Sequence, residues 1–146
     1  VTLELTAPDT PQQNEVVERR ITVLGQQANA MMWTADLKEE ACTILWAEAV
    51  NMANDVDNIT CNTLSHKSAY EQVHKEKPKL IAYAVQFGRI GIQTLRQKFK
   101  QKWKERGEKV LMVGYAADHS SDMYRVYHPA RKTLKMSRDI TWLPWT

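Results

Sequence analysis

The first residues of the chain alternate, with Val1, Leu3 and Leu5 set against Thr2 and Glu4, the period of a short strand with one buried face. Pro8 and Pro11 then impose an extended, turn-rich connection, because proline fixes φ and removes a backbone donor. Asn14 is placed to cap a helix whose apolar stripe runs Val17, Ile21, Leu24, Ala28 and Met31 at steps of three and four. Gly25 in its middle costs about 1 kcal/mol relative to alanine without breaking the pattern. A second helix is predicted to open at Asp36, with Glu39 completing a capping box. Ala41, Ile44, Leu45, Ala49, Met52 and Val56 form its buried side. Asp57 to Lys67 reads as a connector. Ser68 with Glu71 repeats the capping logic and starts a short helix through His74, and Pro78 prevents its continuation.

From Leu80 the periodicity shortens. LIAYAVQF, IGIQTL, KVLMVGY, MYRVYH, TLKM and DITWL are predicted strands, the later ones separated by the turn clusters DHSSD and HPARK. Several short strands at this spacing imply a small barrel or sandwich. Trp33, Trp46, Trp142 and the tyrosines are expected in the core, since aromatics in amphipathic elements usually serve packing.

A chain of 146 residues accommodates one ordinary domain or two small ones, and 43% hydrophobic with 25% charged residues is a globular composition. No apolar run approaches the roughly 20 residues that span a bilayer, and the N-terminus lacks a secretory pattern, so the expected location is intracellular, nucleus or cytoplasm. Cys42 and Cys61 are too few for a disulfide framework. His66, His74, His119 and His128 show no zinc-ligand spacing with them and read as ordinary core or surface residues. The net charge of +3 is unevenly spread: residues 96–109 hold seven Lys or Arg against two Glu, a local +5 that leaves −2 for the rest.

TAPDTPQQNEVVERR, around Glu18, resembles the segment carrying the last catalytic carboxylate of copia-type retrotransposon integrases. WAEAV at Trp46 to Val50 and KSAYEQVHKEKP at Lys67 to Pro78 are similar to helices of the same family, with Ala69 where the family's first-turn proline stands. Phe87-Gly88, VGY at Val113 to Tyr115, YRVYHP at Tyr124 to Pro129 and SRDITW at Ser137 to Trp142 resemble the SH3-like module that follows the integrase core. The resemblance covers nearly the whole chain. It implies an α+β fold: a partial ribonuclease-H-like integrase core (one strand, two helices) over residues 1–64, a linker with a short helix over 65–78, and a small SH3-like β-barrel over 79–146.

In that family the glutamate is the third of three acids that hold two divalent metals for in-line phosphoryl transfer. Only 17 residues precede Glu18, and Asp9, Asp36 and Asp55 do not match the positions of its two partners. The chain alone is therefore expected to need no cofactor and to be inactive, Glu18 serving Mg²⁺ or Mn²⁺ only with two Asp from upstream sequence. Glu15, where the family has glycine, adds a second negative charge one turn from Glu18.

Nucleic-acid contact is expected from two places. Arg19 and Arg20 follow the glutamate on a helix and correspond to DNA-facing residues, although a solvated helix flank would look the same. Lys98, Lys100, Lys102 and Lys104 alternate with Gln97, Phe99, Gln101 and Trp103, gathering positive charge whether the stretch is strand or helix. A charged loop that merely keeps the module soluble is the plain alternative. DNA or RNA is the expected partner through residues 96–109, together with the rest of a Pol polyprotein or a second copy, and no membrane. The competing functions are a non-enzymatic nucleic-acid or protein interaction module built on the basic half, and a decayed retroelement frame.

Overall fold

The structure is a computed structural model that describes residues 15–95, 107–116 and 119–144. Two long helices, α1 (Glu15–Thr34) and α2 (Glu39–Ile59), lead to a one-and-a-half-turn helix α3 (Ala69–His74). Five strands follow: β1 (Ile90–Thr94), β2 (Gly107–Tyr115), β3 (Tyr124–His128), β4 (Thr133–Ser137) and β5 (Ile140–Trp142). They form one antiparallel sheet in the order β4-β3-β2-β1-β5, so the last strand returns to pair with the first. The fold is α+β. The predicted strand at Val1–Leu5 and the cap at Asn14 lie outside the described residues.

α1 and α2 pack against each other, and α2 also lies on β2. One continuous core joins Ala28 of α1, Leu45, Ala49, Met52 and Ala53 of α2, and Val110, Met112, Val113, Val126 and Tyr127 of the sheet. Met112 and Val113 are consecutive and both fully buried. The register shifts between Met112 and Gly114, and this bulge leaves Val113 without a cross-strand partner and turns it inward. Across the helix–sheet junction Arg125 donates to Glu48 Oε1 at 2.6 Å, pairing the one buried acid of α2.

Two glycines are fixed by close approach. Gly88 has φ +76, and a Cβ there would overlap the side chain of Ala35 in the α1–α2 turn. Its N–H donates to Met112 O at 2.8 Å, tying that turn to the sheet. Gly91 faces Trp142 across β1–β5, and a Cβ would meet the indole ring at 2.7 Å. Trp142 in turn stands edge-on to Tyr124, with centroids 5.2 Å apart.

Four expectations are corrected. Asp36 does not cap α2: it sits at φ +48, in the left-handed region that Asp tolerates, and closes the turn after α1. Lys38 holds the cap position, with extended backbone and no side-chain hydrogen bond to the helix. LIAYAVQF is not a strand. Lys79–Tyr83 is a 3₁₀ turn entered from Pro78, and Tyr83 is exposed. The backbone beyond it is held by side chains instead of a ladder: Val85 N–H donates to the Tyr115 hydroxyl at 3.0 Å, and the Tyr124 hydroxyl donates to Tyr83 O at 3.2 Å. Trp33 is 87% exposed and Trp46 59% exposed. Trp33 lies two residues past Met31, about 200° around the helix from the stripe, so the helix that carries it points it outward. Ile44, placed on the buried side of α2, is also exposed. The Ser68–Glu71 capping box forms as predicted, with both hydrogen bonds at 3.1 Å.

Candidate functional site

Glu18 lies in the first turn of α1, and its side chain is open to solvent. Every residue from Glu15 to Val23 is exposed, so this end of α1 is a surface, although it carries the apolar side chains Val16, Val17 and Ile21. Glu15 is the neighbouring acid of that turn. Among the described residues no three of His, Cys, Asp or Glu converge on a position where a metal could be held. Magnesium is held through one or two carboxylates together with waters and substrate phosphates, and Glu18 is the acid the described residues offer at the family position.

The two arginines beside it part company. Arg20 reaches across to α2 and forms an ion pair with Asp57. Arg19 is exposed and has no ion pair among the described residues. Lys98, Lys100, Lys102 and Lys104 lie outside the described residues, within the connection between β1 and β2. Lys109, at the end of that basic stretch, is exposed on β2. The described ends of the connection, Thr94 and Gly107, face each other across the β1–β2 ladder.

Two surface depressions neighbour these residues. Between α1 and α2 an apolar groove of about 370 Å³ is lined by Ile21, Leu24, Ala28, Met32, Trp46 and Val50. A second cleft of about 300 Å³, between α2, α3 and the sheet loops, presents Asp55, Tyr70, Glu76, Lys79 and Ser121. Burial raises the Asp55 carboxyl above its ordinary range, and the charge of Arg125 opposes that rise. Its acidic and basic groups are mixed, so the cleft has no single-sign field to concentrate an ionic ligand.

The histidine that sequence reading left as ordinary is the most constrained titratable group described. His128 ends β3 and its side chain is fully buried. Its Nδ1 lies 3.4 Å from Glu108 Oε2, outside hydrogen-bond geometry, and neither ring nitrogen has a hydrogen-bond partner among the described residues. The other Glu108 oxygen pairs with Arg131 Nε at 2.9 Å. The signal was present in YRVYH: Tyr124, Val126 and His128 share one face of a strand, and the first two are core residues.

Comparison with known proteins places this geometry. Residues 92–144 match the retroviral polymerase SH3-like domain, a span that contains all of β2 to β5. Over 139 residues the chain is 24% identical to the retrovirus-related Pol polyprotein from transposon TNT 1-94 of Nicotiana tabacum. That match covers 95% of this chain and 10% of the relative. No solved structure matches. None of the described helices is long and apolar enough to cross a membrane. The five-stranded sheet is thus similar to a retroviral polymerase SH3-like domain, and nearly the whole chain is similar to one stretch of a retrovirus-related Pol polyprotein.

Proposed function

We propose that this chain is the part of a retrotransposon integrase that joins the end of a ribonuclease-H-like catalytic core to its SH3-like domain. Residues 1–64 belong to the core on this reading, 65–78 to a linker, and 79–146 to the SH3-like unit. The observation that carries it is the surface of α1. Ile21 is 64% exposed beside a 59% exposed Trp46, and the stripe continues through Val16 and Val17 with nothing described above it. An apolar face of this kind marks a missing neighbour, and the relative that the chain resembles is about ten times its length.

Glu18 stands at the rim of that face. In the intact enzyme it supplies the third carboxylate of a Mg²⁺ or Mn²⁺ site, two Asp coming from sequence outside this chain, and the metals activate the attacking oxygen and stabilise the leaving one. By itself the chain does not cut DNA. A Mg²⁺- or Mn²⁺-dependent nicking assay with Glu18→Ala as control tests this: no activity above the variant is expected, and metal-dependent nicking that the substitution abolishes would overturn it.

A second reading, a nucleic-acid-binding module that needs no catalysis, draws on the SH3-like sheet and the charge beside it. Lys98, Lys100, Lys102 and Lys104 fall in the sequence between β1 and β2, and Arg19, beside Glu18, has no ion pair among the described residues. Binding of DNA or RNA through them is electrostatic and falls steeply with salt. Replacing the four lysines with glutamine should flatten that salt dependence, and an unchanged slope would remove them from the interface.

A further inference from the structure

We propose that His128, Glu108 and Arg131 form an acid-sensitive latch that fastens the β3–β4 hairpin to the start of β2. The proposal is independent of integrase ancestry and rests on the packing of three side chains. His128 is the last residue of β3, Glu108 the second of β2, and Arg131 lies in the turn that leads into β4. Glu108 lies between the other two: Oε1 forms an ion pair with Arg131 Nε at 2.9 Å, and Oε2 faces His128 Nδ1 at 3.4 Å. The imidazole has no exposed surface and no hydrogen-bond partner on either nitrogen among the described residues. Such a site accepts a neutral ring and disfavours a cation, since a buried charge must be paired and hydrogen-bonded to be tolerated.

The charged groups facing the ring come from three elements. Glu108 on β2 favours the imidazolium, while Arg131 in the turn and Lys135 on β4 oppose it. Burial is the largest influence, and it holds the imidazole below its ordinary value of 6.5. To hydrogen-bond the protonated ring Glu108 must close the 3.4 Å gap, which draws it from Arg131 and loosens the turn; otherwise the ring must leave its site, which frees the end of β3. Either route loosens the same hairpin. Among the described strands β4 is the least buried, with four of its five residues exposed and β3 its one strand partner, so it is the part of the described sheet that opens first.

The sign follows from proton linkage. The closed state binds fewer protons than the open state below about 6.5, so closure is favoured at neutral pH and weakens as pH falls through that value. The test is amide hydrogen exchange of β3 and β4 in the full chain between about pH 7.5 and pH 5, corrected for intrinsic rates, with wild type beside His128→Gln. Wild-type protection of β4 should fall as pH drops through about 6.5, and the variant should show little change across the range. Equal pH dependence in both proteins would overturn the latch. Should the variant not fold, NMR titration of the wild-type His128 ring decides: titration below 6.5, together with a coincident loss of β4 protection, supports it. Titration at or above 6.5, or without any change in β4, refutes it.

Discussion

α1 and β2 are both central in the chain's architecture, and they bury themselves very differently. In the twenty residues of α1 only Ala28 is fully inside, and the first nine residues are exposed throughout. In the nine residues of β2, Val110, Met112 and Val113 have no exposed surface, and a bulge has been introduced to bury the last two together. The sheet closes its own core with α2 as a lid. α1 contributes one flank to that core and leaves the other flank, apolar and open, for something outside the described structure. An amphipathic period in sequence therefore says that a helix has a face to bury, and it does not say that the partner is in the same chain.

Substitutions can break this contrast. Met112→Ala should have the largest effect, about 2–5 kcal/mol of unfolding free energy, from lost transfer energy and the cavity left behind. Urea denaturation measures it directly. Arg125→Ala should follow at roughly 2–3 kcal/mol, because it strands the buried Glu48 carboxylate, the pair's partial exposure keeping the cost below that of a fully buried one. Ser68→Ala removes one half of the α3 capping box and should cost about 1 kcal/mol, read as faster amide exchange at Glu71. Ile21→Ala should be the smallest, within about 0.5 kcal/mol, as for exposed positions generally. If Ile21→Ala proved as damaging as Met112→Ala, the open flank of α1 would be covered in solution and the contrast would fail. Hydrogen exchange across the whole chain sharpens the same point: slow exchange in β2 and faster exchange in the first half of α1 are expected, and uniform protection would contradict them.

Much of this arrangement could be read from residue order. The α1 stripe, the Ser68 capping box and five of the six strands predicted from Leu80 onward follow from local chemistry, because period and caps involve residues within a turn or two of one another. The sixth, LIAYAVQF, fails for a physical reason: apolar runs do not distinguish a strand from a segment whose hydrogen bonds go to distant tyrosine hydroxyls. Asp36 fails similarly, since an acidic residue before a helix serves as well in a left-handed turn as in a cap. Trp33 and Trp46 were assigned to the core by residue type, against the phase of their own helices. At the candidate site, Glu18 and Arg19 could be located on a helix from sequence, but the engagement of Arg20 by Asp57 required the packing of α1 on α2. His128 could be placed on an inward face, yet its lack of hydrogen bonds among the described residues depends on where Glu108 stops short.

The connector between α3 and β1 owes its course to Tyr115 and Tyr124, whose hydroxyls meet Val85 and Tyr83. Those anchors come from the sheet and grip only main-chain atoms of the connector. The exposed side chains of residues 81–84 are thus largely released from dictating their own path, and substitutions there should accumulate freely while both hydroxyls remain, whereas Val85 is buried in the core. Phenylalanine at position 115 would reverse that freedom, leaving Val85 with an amide that no neighbouring strand is present to satisfy.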